Sequence, residues 1–163
     1  MQIKIDHHYD ADVETVYALI SEPEFIEGKY VAIGGTGVAV DRSETDGGCE
    51  VVTKRTVAVD LPGFAKKVLS PRNTTVQTEI WTAPDAAGVR VCTYHVEVHG
   101  APSRIQGRHT LTPAADGADH HIEIEVKVSV PLIGGRLEKF AAETGRSDLA
   151  DQFAFTDKAL AGT

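Results

Sequence analysis

The hydrophobic period of the chain changes once, at Pro131, and no other feature constrains the fold as much. Before that proline, Ile122, Ile124, Val126, Val128 and Val130 alternate with Glu123, Glu125, Lys127 and Ser129. Successive strand side chains point to opposite faces, so this run builds a sheet with one buried and one solvated face. After it, Leu137, Phe140, Ala141 and Thr144, then Leu149, Phe153, Thr156 and Leu160, recur at helical spacing. Residues 132–160 therefore read as one long helix. Such a helix reaches about 40 Å and has to bury its stripe against something. Gly145 falls in its middle and is expected to loosen or kink it.

The alternating pattern extends back through the chain. Strands are expected near 38–43, 49–60, 74–83, 89–100, 105–112 and 120–130, with a short one at 3–9. Asp46-Gly47-Gly48 and Ala86-Ala87-Gly88 suit tight hairpins, and Gly100-Ala101-Pro102 and Ala115-Asp116-Gly117 are further turns. Between the first two strands, Asp10-Ala11-Asp12 offers a helix cap before Val13, Val16, Tyr17 and Ile20. Ser21-Glu22-Pro23-Glu24 reads as a capping box in which Ser21 caps a second short helix, which ends at Gly34-Gly35-Thr36-Gly37. The proline-bounded segment 61–71 is too long for a plain hairpin; it is expected to hold an amphipathic turn of helix that caps something.

A sheet of this size must bend to cover one long apolar helix. A curved sheet around a single helix seldom fills completely, so a pocket is expected between them. The chain of 163 residues fits one domain, spanning 1–163. At 42% hydrophobic and 25% charged residues it is no disordered chain. The net charge of −8 argues against a nucleic-acid partner. No run approaches the ~18 apolar residues of a membrane span, so stable membrane insertion is not expected. The first residues have no apolar run and do not read as a secretion signal. Cys49 and Cys92 form neither a metal spacing nor a disulfide framework, which suits reduced thiols in the cytoplasm. The oligomeric state is not written in the sequence.

The element order resembles the START-like (SRPBCC) superfamily, which includes the birch-pollen allergen relatives and the polyketide cyclase and dehydratase group. The residues that carry the likeness are Thr78-Glu79-Ile80-Trp81, then Gly107 and Leu111, then Val130-Pro131-Leu132-Ile133-Gly134-Gly135-Arg136-Leu137-Glu138-Lys139. Within that superfamily the chain is most similar to the bacterial family DUF2505. The resemblance covers nearly the whole chain. It implies an α+β helix-grip fold: a curved seven-stranded antiparallel sheet wrapped around a long C-terminal helix, with two short helices after the first strand. It also implies a cavity for a hydrophobic ligand, and no catalytic residues.

Parity assigns the inner face. Cys92, Tyr94, Val96 and Val98 share one set, and Ile105, Gly107, His109 and Leu111 another. On strand 74–83, Val76, Thr78 and Ile80 would face inward and Trp81 outward. On strand 49–60, Arg55 shares a face with Val51, Thr53, Val57 and Val59. A buried cation needs an acid or a ligand, so Arg55 is a candidate for an acidic head group. Its alternative is pairing with a carboxylate near the sheet edge, or reaching out to solvent. The candidate ligand contacts are Arg55, Thr78, Tyr94, Val96 and His109, with Phe140 and Phe153 from the long helix.

Other constellations carry less. His95, Glu97 and His99 alternate on one strand, but neighbours two apart stand roughly 6.6–7 Å from each other and fall on the wet face, so no metal site is expected. The pairs His7-His8 and His120-His121 point to opposite faces. Gly34-Gly35-Thr36-Gly37 precedes a strand, where a phosphate loop needs a helix, so no nucleotide cofactor is expected. Cys92 sits among apolar neighbours and is inert as a nucleophile. Phe64, Lys66, Lys67, Val68 and Leu69 with Arg72 form a basic and apolar lid.

Three functions follow. The first is a carrier or sensor of a small hydrophobic molecule, acidic lipid-like and polyketide-like molecules included. The second is a cyclase- or dehydratase-like enzyme using His109 or Tyr94 on a carbonyl compound, with Arg55 stabilising negative charge. The third is an interaction protein with a filled core. A cavity far below ~300 Å³ would favour the third. His109 and Tyr94 on opposite faces would remove the second.

Overall fold

In the computed structural model, which describes residues 1–162, the chain forms strands β1 (Gln2–Tyr9), β2 (Thr36–Thr45), β3 (Gly48–Ala58), β4 (Arg72–Trp81), β5 (Arg90–Val98), β6 (Ser103–Ala114) and β7 (Gly117–Val128). They make one antiparallel sheet in the order β1-β7-β6-β5-β4-β3-β2. Helices α1 (Val13–Ile20) and α2 (Pro23–Ala32) lie in the connection from β1 to β2, which carries the chain from one sheet edge to the other. Helix α3 (Gly134–Ala161) packs on β7, β1 and α2. This is the expected α+β helix-grip architecture.

Local chemistry accounts for the ends. Asp12 caps α1 by accepting from Thr15 N at 2.8 Å. Ser21 does not cap α2 as the sequence suggested. Its hydroxyl is fully buried, donates back to the Tyr17 carbonyl at 2.7 Å and accepts from Arg42 Nη1 at 2.9 Å. With Ser21 committed to α1, Glu22 takes the cap and accepts from Phe25 N at 2.7 Å. The β2–β3 hairpin turns through Gly47, whose φ of 74° suits a residue without Cβ. Helix α3 runs unbroken through Gly145, where a Cβ would meet Ile3 Cδ1 at an ordinary 3.5 Å. The helix is thus not interrupted at this glycine, which lies against Ile3 of β1.

Register sets the inner face in rows. One row runs Ile5, Ile122, His109, Cys92, Trp81, Cys49, and the next runs Ile3, Ile124, Gly107, Tyr94, Glu79, Val51. The parity expected on β3, β5, β6 and β7 holds; that on β4 is reversed. Trp81 is 1% exposed in the first row, and Gln77 and Glu79 follow it inward. Thr78 and Ile80 face outward, Ile80 with 44% exposure. Burying the indole removes more apolar surface from water than burying Ile80 would, so the tryptophan decides the face.

Segment 61–71 forms tight turns closed by Ala65 N to Pro62 O at 2.9 Å and Leu69 N to Ala65 O at 2.9 Å. Leu61 and Ala65 bury with Leu137 in a second, smaller core, with Phe64, Val68, Leu69 and Phe140 packed around it. The segment thus caps the start of α3.

Candidate functional site

Between the inner face and α3 lie two adjoining spaces that share Tyr94, Ile124, Leu149 and Gln152 as walls. The larger has a volume of about 230 Å³ and is lined mainly by aliphatic side chains, including Val57, Val96, Ile105, Val126 and Leu137. Leu61 and Leu69 of the 61–71 segment close one side of it. The smaller, about 50 Å³, has mixed walls in which Lys29, Gln77, Glu79, His109 and His120 stand among apolar side chains. The larger volume approaches that of ordinary ligand pockets.

Six of the seven sequence candidates line these spaces. Arg55, Val96 and Phe140 face the larger one, His109 and Phe153 the smaller, and Tyr94 both. Thr78 does not. It lies on an open groove of the outer face with His95 and Glu125, because β4 is turned over relative to expectation. His95 and Glu97 also stand on that outer face, exposed and 3.5 Å apart.

Arg55 points inward, stacks on the Tyr30 ring at 3.8 Å and donates to Gln77 Oε1 at 3.3 Å. Asp148 of α3 lines the same space. Burial raises the Asp148 carboxyl pKa, and the nearby Arg55 charge pulls it back down. The cation therefore has an aromatic face, an amide and a facing carboxylate around it.

The smaller space holds groups the sequence did not single out. Glu79 has both oxygens occupied, one by Gln77 Nε2 and the other by Trp81 Nε1 at 3.2 Å. Tyr30 Oη and Gln77 Nε2 are 3.1 Å apart. Lys29, 8% exposed, lays its ammonium over the Tyr30 ring at 4.8 Å. His120 lies on the inner face, in phase with Ile122 and Ile124, and that phase was legible in the sequence. Its Nε2 meets His109 Nδ1 at 3.2 Å, and its Nδ1 meets the Tyr9 hydroxyl at 3.3 Å. Among the described residues the His109 Nε2 atom is buried without a hydrogen-bond partner, as is Ser103 Oγ, whose residue lines the larger space. Burial lowers the pKa of both histidines, most for His120, where the His109 charge adds to the effect. Burial likewise raises the Tyr94 hydroxyl, which stays protonated. The rings of Tyr94 and His109 are 5.2 Å apart on the same face. Cys92 is buried and its thiol pKa is raised chiefly by that burial, so it stays a thiol, as its apolar neighbours implied. Among the described residues, no group of three or more His, Cys, Asp or Glu is placed to hold a metal ion, and no helix is long and apolar enough to cross a membrane.

A curved antiparallel sheet closed over a C-terminal helix, with an apolar space between them, defines a helix-grip fold. Solved structures share it. A protein from Thermus thermophilus superposes with a TM-score of 0.67 at 13% identity, covering 99% of this chain and 98% of that one. The Zhui aromatase/cyclase from Streptomyces gives a TM-score of 0.59 at 13% identity, covering 99% and 92%. A protein from Mycobacterium smegmatis gives 0.58 at 12%, covering 99% and 91%. These likenesses concern the fold. No curated protein matches the chain in sequence. The chain belongs to the family described as "Protein of unknown function (DUF2505)", which matches residues 4–160.

Proposed function

We propose that this protein binds a small hydrophobic molecule between its sheet and α3, with the apolar body in the larger space and a polar end in the smaller. The supporting observation is the pairing of an aliphatic space of about 230 Å³ with an adjoining wall that ends on the unpartnered Nε2 of His109. An apolar void gains from any apolar guest, and an orphaned buried polar atom gains from a guest that can bond to it. Two free, buried thiols suit a cytoplasmic carrier or sensor. Native mass spectrometry of protein purified from its native host tests the reading. A retained small molecule, displaced when Val96→Trp fills the space, is the expected result; a bare chain that takes up no hydrophobic probe sinks it.

The enzyme reading keeps one supporting observation. His109, Tyr94 and the Glu79 carboxylate line one space, so a bound carbonyl compound would meet hydrogen-bond donors and a carboxylate together. Turnover of a polyketide-like ketone that disappears in both His109→Phe and Glu79→Gln would move the assignment from carrier to catalyst. The filled-core reading has less support, given the size of the larger space.

A further inference from the structure

We propose that the inner space is a carbonyl-recognition site: His109 donates its Nε2–H to an uncharged ligand oxygen, and Tyr9 and His120 are the positioning residues that hold it in that tautomer. The proposal deepens the ligand-binding reading above and rests on it.

The argument is a proton count. Tyr9 is 2% exposed, and among the described residues its hydroxyl bonds only to His120 Nδ1, at 3.3 Å. His120 and His109 are both buried, and burial keeps both neutral, so each carries one N–H. The phenol proton needs an acceptor, and His120 Nδ1 is the one within reach. His120 then carries its proton on Nε2 and donates it to His109 Nδ1 at 3.2 Å. That leaves the His109 proton on Nε2, a buried atom without a partner. Reversing the chain would make Tyr9 an acceptor and leave its own proton without a partner among the described residues. The forward direction instead places a free donor on the wall of the inner space, where a ligand can take it up.

The surroundings select the acceptor. Glu79 faces the same space, but its oxygens accept from Gln77 and Trp81 and it makes no hydrogen bond with His109 Nε2. Its charge is offset by Lys29, which is buried and lines the same space. A neutral oxygen fits: that of a ketone, ester or amide, attached to an apolar body filling the neighbouring aliphatic space.

The test has two arms on the full chain. Long-range proton–nitrogen correlation spectra of histidine-labelled protein are expected to show His109 protonated at Nε2 and bare at Nδ1. In Tyr9→Phe the anchor is gone, and both His109 nitrogens should move toward the average of the two tautomers. The second arm compares 2-acetylnaphthalene with 2-ethylnaphthalene, a near-isostere without the oxygen, and with 2-naphthoate. The ketone is expected to bind about tenfold more tightly than the hydrocarbon, because it satisfies a buried donor. Tyr9→Phe and His109→Phe should shrink that preference to less than about twofold, each ratio being measured within one variant. If His109→Phe fails to fold, Tyr9→Phe carries the arm alone. Protonation of His109 at Nδ1, equal binding of ketone and hydrocarbon, tighter binding of naphthoate than of the ketone, or a preference that survives Tyr9→Phe would each overturn the proposal while leaving the ligand-binding reading intact. Binding of none of the three probes overturns both.

Discussion

Arg90 on β5 and Glu14 on α1 meet in a two-pronged ion pair, Nε to Oε2 at 2.6 Å and Nη2 to Oε1 at 3.0 Å. The same guanidinium lies over the Tyr17 ring at 3.7 Å and donates from Nη1 to the carbonyls of Gly47 and Thr82, both at 2.9 Å. One side chain, 6% exposed, thus ties α1 to the β2–β3 and β4–β5 turns. Arg90→Ala leaves two carbonyls without their partner and is expected to cost about 2–4 kcal/mol in urea unfolding. Arg90→Lys should recover less than half of that, because an ammonium cannot make the fork. A loss below about 0.5 kcal/mol for the alanine variant would show that the ion pair behaves as an ordinary surface pair.

The buried histidines give stability a pH dependence of defined sign. Both His109 and His120 have folded pKa values below the ordinary 6.5, so the unfolded chain binds more protons than the folded one. Their contribution is present above pH 6.5 and is lost as pH falls from there toward the folded values. The slope reaches at most ~1.4 kcal/mol per pH unit for each histidine. Surface His8 and His121 are raised by hydrogen bonds to Asp119 and Asp6 and act in the opposite sense, weakened by solvent screening. Urea midpoints between about pH 7.5 and 5 should therefore fall, and the double variant His109→Gln/His120→Gln should flatten the curve. Midpoints that rise on acidification would contradict the burial of these rings.

Asp148 lines the larger space beside Arg55 while keeping much of its surface in solvent. Burial raises its pKa, so at neutral pH the ionised form is penalised in the folded state. Asp148→Asn removes the charge and keeps the shape. Because Asp148 stays substantially exposed, solvent screening limits the effect to a few tenths of a kcal/mol: stability at pH 7 is expected to rise slightly, with the gain disappearing in acid as the native carboxyl protonates. A loss of stability at pH 7 would mean that the attraction to Arg55 outweighs the burial of the carboxylate.

Gly107 faces Tyr94 across the β5–β6 ladder, and a Cβ there would sit on the Glu123 carbonyl oxygen and 3.0 Å from Ile124 Cα. Backbone atoms inside a sheet cannot move aside as a flexible side chain can. Gly107→Ala is expected to destabilise by about 2–3 kcal/mol in denaturant unfolding, within the range of core overpacking. A neutral effect would indicate that β6 and β7 can separate locally.

Much of the fold and part of the site were legible from particular residues. The alternation from Ile122 to Val130 and the stripe from Leu137 to Leu160 are local periodicities, and each shows which side of its own element is apolar. They were sufficient for β7 and α3, and the parity of β3, β5 and β6 placed Arg55, Tyr94, Val96 and His109 inward. On β4 the same rule failed. Both faces of that strand carry apolar residues, and the polar Gln77 and Glu79 point into the protein because they line a cavity.

The sequence alone determined the periods, the breaks between them and hence the helix-grip order, because those depend on neighbours along the chain. Tertiary structure decided which face of β4 is buried, that Ser21 bonds back into α1 rather than capping α2, and that Lys29 of α2 meets Glu79 of β4 in one space. It also brought Tyr9, His120 and His109 from three strands into one hydrogen-bonded line. These outcomes depend on how much area each alternative buries and on which donors find acceptors across the sheet. Such comparisons between distant residues leave no periodic trace in the chain.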